Sequence, residues 1–128
     1  MAAPARSRTV ALSALADVVL VVAFAALGLA SHEGGVSAAG LGRVAWPFLV
    51  ALAAAWAIAR AWRRPLAPLR TGVVVWVVTA AGGLLLRVAS GEGAAIPFVI
   101  VTAVVLAAFL IGWRAITHVS LRAASRRR

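Results

Sequence analysis

Asp17 is the residue whose type and position most need a chemical explanation. It is one of only three acids in the chain and lies about eight residues into an apolar block, hence about 12 Å from its start if that block is a helix. An ionised aspartate near the middle of a bilayer costs about 2.5–3.5 kcal/mol on insertion scales. Such residues commonly face a protein interior, pair with another group and mark function. Asp17 is therefore either a proton or cation site or a structural acid with a partner.

Three residues could pair with Asp17 on the basis of their position. Arg60 and Arg114 lie at the ends of later apolar blocks, from which a long side chain can extend, and Thr79 lies about as deep as Asp17. Asp17, Thr79, Arg60 and Arg114 thus form a candidate intramembrane polar site. We favour the structural interpretation, because basic residues crowd this side and one buried acid is a narrow basis for transport.

A second candidate polar site lies at the opposite ends of the apolar blocks. Its members are Arg43, Arg87, Glu33, Glu92 and His32. The two arginines could pair with the two glutamates or bind an anion, but extension of both side chains to lipid phosphates is the interpretation we favour. His32 beside Glu33 could sense pH or hold a metal, yet one histidine and one acid are too few for a metal site.

Motifs for catalysis or cofactor binding are not found. The chain has no cysteine, which excludes disulfides and thiolate chemistry. No nucleophile elbow, phosphate loop or cluster of histidines and acids occurs in it. We therefore predict that the protein is not an enzyme and binds no cofactor or metal. An enzyme of lipid metabolism, with its site assembled from several helices, is the third hypothesis, after transport and an accessory role in a membrane complex.

The elements that must position these residues are four long apolar blocks. Hydrophobic residues make up 64% of the 128 residues and charged residues 12%, against roughly 25% charged in a soluble domain. The blocks cover about 9–30, 41–61, 71–89 and 94–116. Each has about the twenty residues that a helix needs to cross the hydrocarbon core. We predict an all-α membrane protein of one domain, with four transmembrane helices in an antiparallel bundle and a basic tail at about 117–128.

Details of the blocks refine this prediction. The first block is longer than the apolar region of a signal peptide, so we expect it to be retained as a helix. Pro47 and Pro97 should fall in the first turns of the second and fourth helices, where proline is tolerated. Tryptophans at helix ends, Trp113 among them, are typical of an aromatic belt. The deeper Trp56 is expected to pack or to contact lipid.

The distribution of arginine predicts how the chain is oriented. The side that carries the termini has eleven of the thirteen arginines: Arg6, Arg8, Arg60, Arg63, Arg64, Arg70, Arg114, Arg122, Arg126, Arg127 and Arg128. Arg43 and Arg87 are left for the other side. Because positive charge stays on the cytoplasmic face, both termini should be cytoplasmic. The basic termini should also attract anionic lipid, at roughly 1 kcal/mol per residue.

The two halves of the chain resemble each other. The matching segments are 30–34 with 89–93, 47–50 with 97–100, and Trp62-Arg63 with Trp113-Arg114. A unit of two helices keeps its orientation when it is repeated, so the repeats would be parallel, related by an axis along the membrane normal. Glycine, proline and tryptophan also recur at helix ends without any duplication.

An ordered series of residues resembles a known family. The series is Asp17, Ser31-His32, Trp46-Pro47-Phe48, Trp56, Arg60-Ala61-Trp62, Pro65, Trp76, Thr79, Leu86-Arg87, Pro97-Phe98-Val99-Ile100 and Gly112-Trp113-Arg114. It resembles the bacterial and archaeal membrane family called domain of unknown function 3054, over nearly the whole chain. The resemblance implies a compact four-helix protein of a prokaryotic cell membrane. It implies no activity and no site residues.

Two functions are compatible with these patterns. The first is transport of a small solute or ion through a polar site near Asp17, for which so small a chain would need to form a homodimer. The alternative is a non-catalytic accessory or assembly subunit of a larger membrane complex, which fits the absence of any chemical motif.

Overall fold

The computed structural model describes residues 2–31 and 35–127, and these residues are helical apart from the connectors. Five α-helices and one π-helical segment follow in the order α1 Ala2–Ala30, α2 Ala38–Ala59, the π segment Pro68–Gly72, α3 Val73–Ala89, α4 Ile96–Leu110 and α5 Gly112–Arg126. The π segment leads directly into α3, and only Ile111, itself in helical conformation, separates α4 from α5. No strand occurs within residues 2–31 and 35–127.

Four of the continuous helical stretches are long and apolar enough to cross a membrane. They are Ala5–Ala30, Ala38–Ala59, Pro68–Ala89 and Ile96–Arg126. Apolar blocks of this length dictate that result, because only helices satisfy every backbone group without water. The predicted class, an all-α protein with four membrane-spanning helices, is confirmed.

Neighbouring spans run antiparallel. Asp17 of α1 contacts Trp56 near the end of α2, whereas Leu29 lies beside Gly40 at the start of α2. The same order holds for the second hairpin. There the Trp76 indole donates to the Ala103 carbonyl at 2.8 Å, and Arg87 lies over the ring of Phe98. We call the end near Asp17 the terminal end, because both termini lie there, and the opposite end the connector end.

The core between the spans is built around three phenylalanines. The ring of Phe24 in α1 lies 5.2 Å from Phe48 in α2 and 6.3 Å from Phe98 in α4, in edge-on or tilted arrangements. The third helix reaches this cluster through Gly83, where a Cβ atom would overlap the Phe48 ring. A glycine is therefore required for α3 to approach α2 this closely.

The second helix begins earlier than the apolar block predicted. Its N-cap is Ser37, whose hydroxyl accepts the Gly40 amide at 3.1 Å, so the helix starts at Ala38. The prediction that Pro47 lies in the first turns is wrong for this reason, since nine residues of α2 precede it. At that interior position the proline leaves the Arg43 carbonyl without its usual helical donor.

The first and last spans are longer than the hydrocarbon core requires. The α1 helix has 29 residues and the last span 31, hence about 45 Å each at 1.5 Å per residue. The segment predicted as a basic tail is helical as far as Arg126, because alanine and arginine favour helix without any lipid contact. The turns of both spans at the terminal end carry arginines, as expected of the part that exceeds the hydrocarbon core.

The serines at the start of the two hairpin connectors make the same kind of hydrogen bond. The Ser31 hydroxyl donates to the Gly28 carbonyl at 2.8 Å, and the Ser90 hydroxyl donates to the Arg87 carbonyl at 2.9 Å. A glycine with positive φ follows in each connector, at Gly35 and Gly91. The likeness fits a duplicated hairpin, but the duplication itself stays a prediction.

Candidate functional site

The buried acid of α1 forms an ion pair with an arginine of α5. Arg114 donates from Nη2 to Asp17 Oδ2 at 2.6 Å and from Nη1 to Oδ1 at 2.9 Å. This is the two-pronged geometry in which a guanidinium and a carboxylate bind most strongly. Both side chains have no exposed surface at all. Asp17 is thus held by a fully enclosed, charge-balanced pair.

Two tryptophans complete the shell around the carboxylate. Trp56 Nε1 of α2 donates to Oδ2 at 2.7 Å, and Trp113 Nε1 of α5 donates to Oδ1 at 2.8 Å. Each oxygen of Asp17 therefore accepts two hydrogen bonds, which is about the capacity of a carboxylate. We call Asp17, Trp56, Trp113 and Arg114 the Asp17 cluster.

The arginine of the cluster is anchored on its other side as well. Arg114 Nε donates to the Pro65 carbonyl at 2.8 Å, and Nη1 donates to the Leu110 carbonyl at 2.9 Å. Its guanidinium carbon lies 4.7 Å from the centre of the Trp113 ring, at cation–π distance. Arg114 thereby joins α1, α5 and the connector between α2 and α3.

This geometry limits the chemistry available to Asp17. A carboxylate that binds a proton or cation during transport needs a free lone pair and a route by which the ion reaches it. In this cluster four N–H groups occupy both oxygens of Asp17. Removing one partner of such a pair leaves an uncompensated buried charge and costs about 3–5 kcal/mol. The cluster has the properties of a structural clamp.

The remaining residues of the predicted intramembrane site lie apart from the cluster. Arg60 is exposed, and it ends α2 in the left-handed conformation at φ 50°. Thr79 is fully buried, yet its hydroxyl bonds neither Asp17 nor any other described residue, and Thr102 in α4 is in the same situation. Of the candidate partners, the structure brings only Arg114 to Asp17.

Sequence reasoning missed the two tryptophans of the cluster. We expected Trp113 in an aromatic belt and Trp56 in packing or lipid contact, but both indoles donate to Asp17. The signal was available, because an indole N–H inside an apolar span needs an acceptor. Asp17 is the only acid within the four apolar blocks.

The second predicted site surrounds a cavity at the connector end. Arg43, Arg87 and Glu92 line this space of about 370 Å³, which we call the connector-end cavity. Arg87 Nε donates to the Gly93 carbonyl at 2.6 Å, and its guanidinium carbon lies 4.6 Å from the centre of the Phe98 ring.

Glu92, the one acid of this second site that the structure describes, does not form the pair considered for it. Within the described residues Asp17–Arg114 is the only ion pair, so Glu92 pairs with neither Arg43 nor Arg87. His32 and Glu33, the other members of this site, lie outside the described residues.

Comparison with known proteins places the chain in a family. No curated protein and no solved structure matches it. The sequence profile of a family described as "Protein of unknown function (DUF3054)" matches residues 14–117. That range contains the second and third spans, most of the first and last, and every residue of the Asp17 cluster. The chain, whose four apolar helices are those of a multi-pass membrane protein, therefore belongs to the DUF3054 family.

Proposed function

We propose that the protein is a non-catalytic accessory or assembly subunit of a larger complex in a prokaryotic cell membrane, with both termini in the cytoplasm. The observation that carries this proposal is the saturated carboxylate of Asp17. A bundle whose one intramembrane acid is closed by four donors offers no polar path through that acid. Its function is then carried by its surface.

The terminal end offers a surface suited to a partner of opposite charge. Among the described residues, nine exposed arginines lie there: Arg6, Arg8, Arg60, Arg63, Arg64, Arg70, Arg122, Arg126 and Arg127. Of the three acids, Asp17 is buried, Glu92 lies at the connector end, and Glu33 belongs to the first connector. Charge complementarity therefore favours, as the binding partner, an acidic cytoplasmic surface of a membrane complex. Anionic lipid would be a second contact of the arginines.

The part of α5 from Ile116 to Arg126 adds apolar contacts to this surface. Ile116 and Val119 lie three residues apart and are 70% and 65% exposed. Arg122 and Arg126 are spaced four residues apart and follow one another along the same helix. A helix that presents both an apolar pair and a basic row is suited to docking against another protein.

The test is purification of the tagged full chain from its native membrane in mild detergent. A foreign membrane protein should accompany it in fixed stoichiometry. The double variant Arg122→Glu/Arg126→Glu should lose this partner, whereas the matched control Arg43→Glu, at the other end, should keep it. Recovery of this chain alone, as a monomer or homodimer, would contradict the proposal.

Transport is the second candidate, and one observation favours it. The buried hydroxyls of Thr79 and Thr102 have no hydrogen-bond partner among the described residues, and unpaired polar groups in a membrane interior can line a path for a solute. A homodimer would have to complete that path. Flux into proteoliposomes should then exceed that into empty liposomes and fall in Thr79→Val and in Asp17→Asn. Background flux with the native chain would exclude it.

A further inference from the structure

Two neighbouring spaces at the connector end have opposite character. The connector-end cavity has Arg43, Arg87 and Glu92 in its wall, whereas a groove of about 390 Å³ between α1 and α4 is lined almost entirely by apolar residues. Gly28 and Phe98 belong to the walls of both spaces. The two therefore adjoin, and together they have the polar-to-apolar gradient of a membrane lipid.

The charges of the cavity define what its polar part can bind. Arg43 comes from the start of α2, Arg87 from the end of α3, and Glu92 from the connector that follows. Guanidinium groups bind phosphate oxygens by paired hydrogen bonds, and a carboxylate accepts hydrogen bonds from an ammonium group. Among the described residues, two cations and one anion therefore line one space, and they complement a zwitterion that carries a phosphate and a primary amine.

One of these arginines is already held in place. Its Nε bond to the Gly93 carbonyl and its position over Phe98 fix the Arg87 guanidinium at the edge of the cavity. The side chain therefore loses little further freedom when a ligand binds, which favours affinity. Phe98 also borders the groove, so the same ring touches both the headgroup region and the apolar region.

The groove has the position and length to hold an acyl chain. It runs along α1 from Ser31 to Phe24 and along α4 from Ala95 to Val105, hence over about 10–15 Å at 1.5 Å per residue. Its wall residues Leu27, Pro97 and Val101 are all exposed on the surface that faces lipid. A lipid tail could enter from the bilayer without crossing polar surface.

We propose that the connector-end cavity and the α1–α4 groove together bind one phospholipid with a phosphoethanolamine headgroup. Its phosphate contacts Arg43 and Arg87, its ammonium group contacts Glu92, and one acyl chain lies in the groove. An anionic lipid would leave Glu92 without a counter-charge, and a phosphocholine lipid has no N–H to donate to it. A soluble phosphate compound would leave the groove unused.

The experiment is native mass spectrometry of the delipidated full chain in detergent, titrated with phosphatidylethanolamine, phosphatidylcholine and phosphatidylglycerol of identical acyl chains. Free O-phosphoethanolamine is the fourth ligand. Phosphatidylethanolamine should bind about tenfold more tightly than the other two lipids, the effect of one hydrogen bond to a charged group. Free O-phosphoethanolamine should bind far more weakly.

Variants separate the contributions of the two spaces. Glu92→Gln should abolish the preference for phosphatidylethanolamine, and Arg43→Gln should weaken binding of all three lipids. Gly28→Leu should weaken phosphatidylethanolamine binding by obstructing the groove, while Arg60→Gln at the terminal end is the matched control and should change nothing. Circular dichroism and a thermal unfolding curve check that each variant is folded.

Three results would overturn the proposal. Equal binding of the three lipids, unchanged in Glu92→Gln, would show only boundary lipid. A preference for phosphatidylglycerol would show a simple anion site. Binding of free O-phosphoethanolamine as tight as that of the lipid would assign the cavity to a soluble ligand.

Discussion

The Asp17 cluster and the connector-end cavity each contain an arginine and a carboxylate, but the two groups form an ion pair only in the cluster. Arg114 and Arg87 each rest on an aromatic ring, at 4.7 and 4.6 Å, and each donates from Nε to a backbone carbonyl. In the cluster a carboxylate completes the arrangement. In the cavity Glu92 lines the same space as Arg87 without pairing with it.

Arg114 and Arg87 therefore have different roles. At the terminal end Asp17 and Arg114 pair with each other and are fully enclosed, so their interaction stabilises the contact between the helices. At the connector end the charges surround a cavity and retain hydrogen-bonding capacity for a ligand. The contrast predicts that carboxylate removal affects stability at one end and binding at the other.

The largest effect should come from neutralising the two carboxylates in turn. Asp17→Asn leaves Arg114 as an unpaired buried charge, so the free energy of unfolding should fall by about 3–5 kcal/mol. Glu92→Gln should change it by less than about 0.5 kcal/mol, because no ion pair is lost. Unfolding in detergent by titration with dodecyl sulfate, followed by circular dichroism, measures both. Equal losses in the two variants would remove the distinction between the sites.

A smaller effect should separate two glycines, one between packed helices and one at the cavity. In Gly83→Ala the new methyl group would overlap the Phe48 ring, which should destabilise the protein by about 1–3 kcal/mol. Gly28→Ala has no atom within 4 Å of the new methyl group and should leave stability nearly unchanged. Thermal unfolding of the two variants in the same detergent is the comparison. A larger loss in Gly28→Ala would contradict the tight packing at Gly83 and the open space at Gly28.

The indole donors should contribute less again. Trp113→Phe removes one hydrogen bond to the Asp17 carboxylate and should cost about 1–2 kcal/mol, a value reduced by the partners that a membrane-inserted unfolded state still finds. Trp62→Phe is the control, since that side chain is 45% exposed and has no hydrogen bond to a described residue. The same unfolding assay applies, and indistinguishable variants would mean that Arg114 and Trp56 hold the carboxylate without Trp113.

The smallest effect should come from a polar group that is neither paired nor at a cavity. Thr79→Val replaces a buried hydroxyl without a partner by a methyl group of similar size. The variant should be unchanged or up to about 1 kcal/mol more stable, because no hydrogen bond is lost and no polar group stays unsatisfied. A marked loss of stability would reveal a partner for this hydroxyl that the described residues do not provide.

The spans were predictable from the sequence, and the pairing within them was only partly so. Four apolar runs of membrane length leave no alternative to helices, and an acid inside one of them requires a partner. Which arginine it takes depends on where the helices end. The α2 helix stops at Ala59 with Arg60 in the left-handed conformation, which leaves Trp62 and Arg63 exposed.

The matching dipeptide of the last span has the opposite environment. The last helix continues through Ile111, so Trp113 and Arg114 turn toward Asp17 and become the centre of the cluster. Two identical Trp-Arg pairs thus differ only through the course of the backbone around them. The sequence distinguishes them in part, because Pro65 and Pro68 follow the first pair and predict a connector there, whereas no proline follows the second.

The clamp also sets an order for biosynthesis. Asp17 and Arg114 are 97 residues apart, and the ribosome delivers the chain from its N-terminus. The carboxylate therefore enters the membrane before its counter-charge, gains Trp56 as its first donor when α2 emerges, and meets Arg114 only after 97 further residues have been made. A nascent chain released before Arg114 would keep an acid in the lipid phase without its counter-charge.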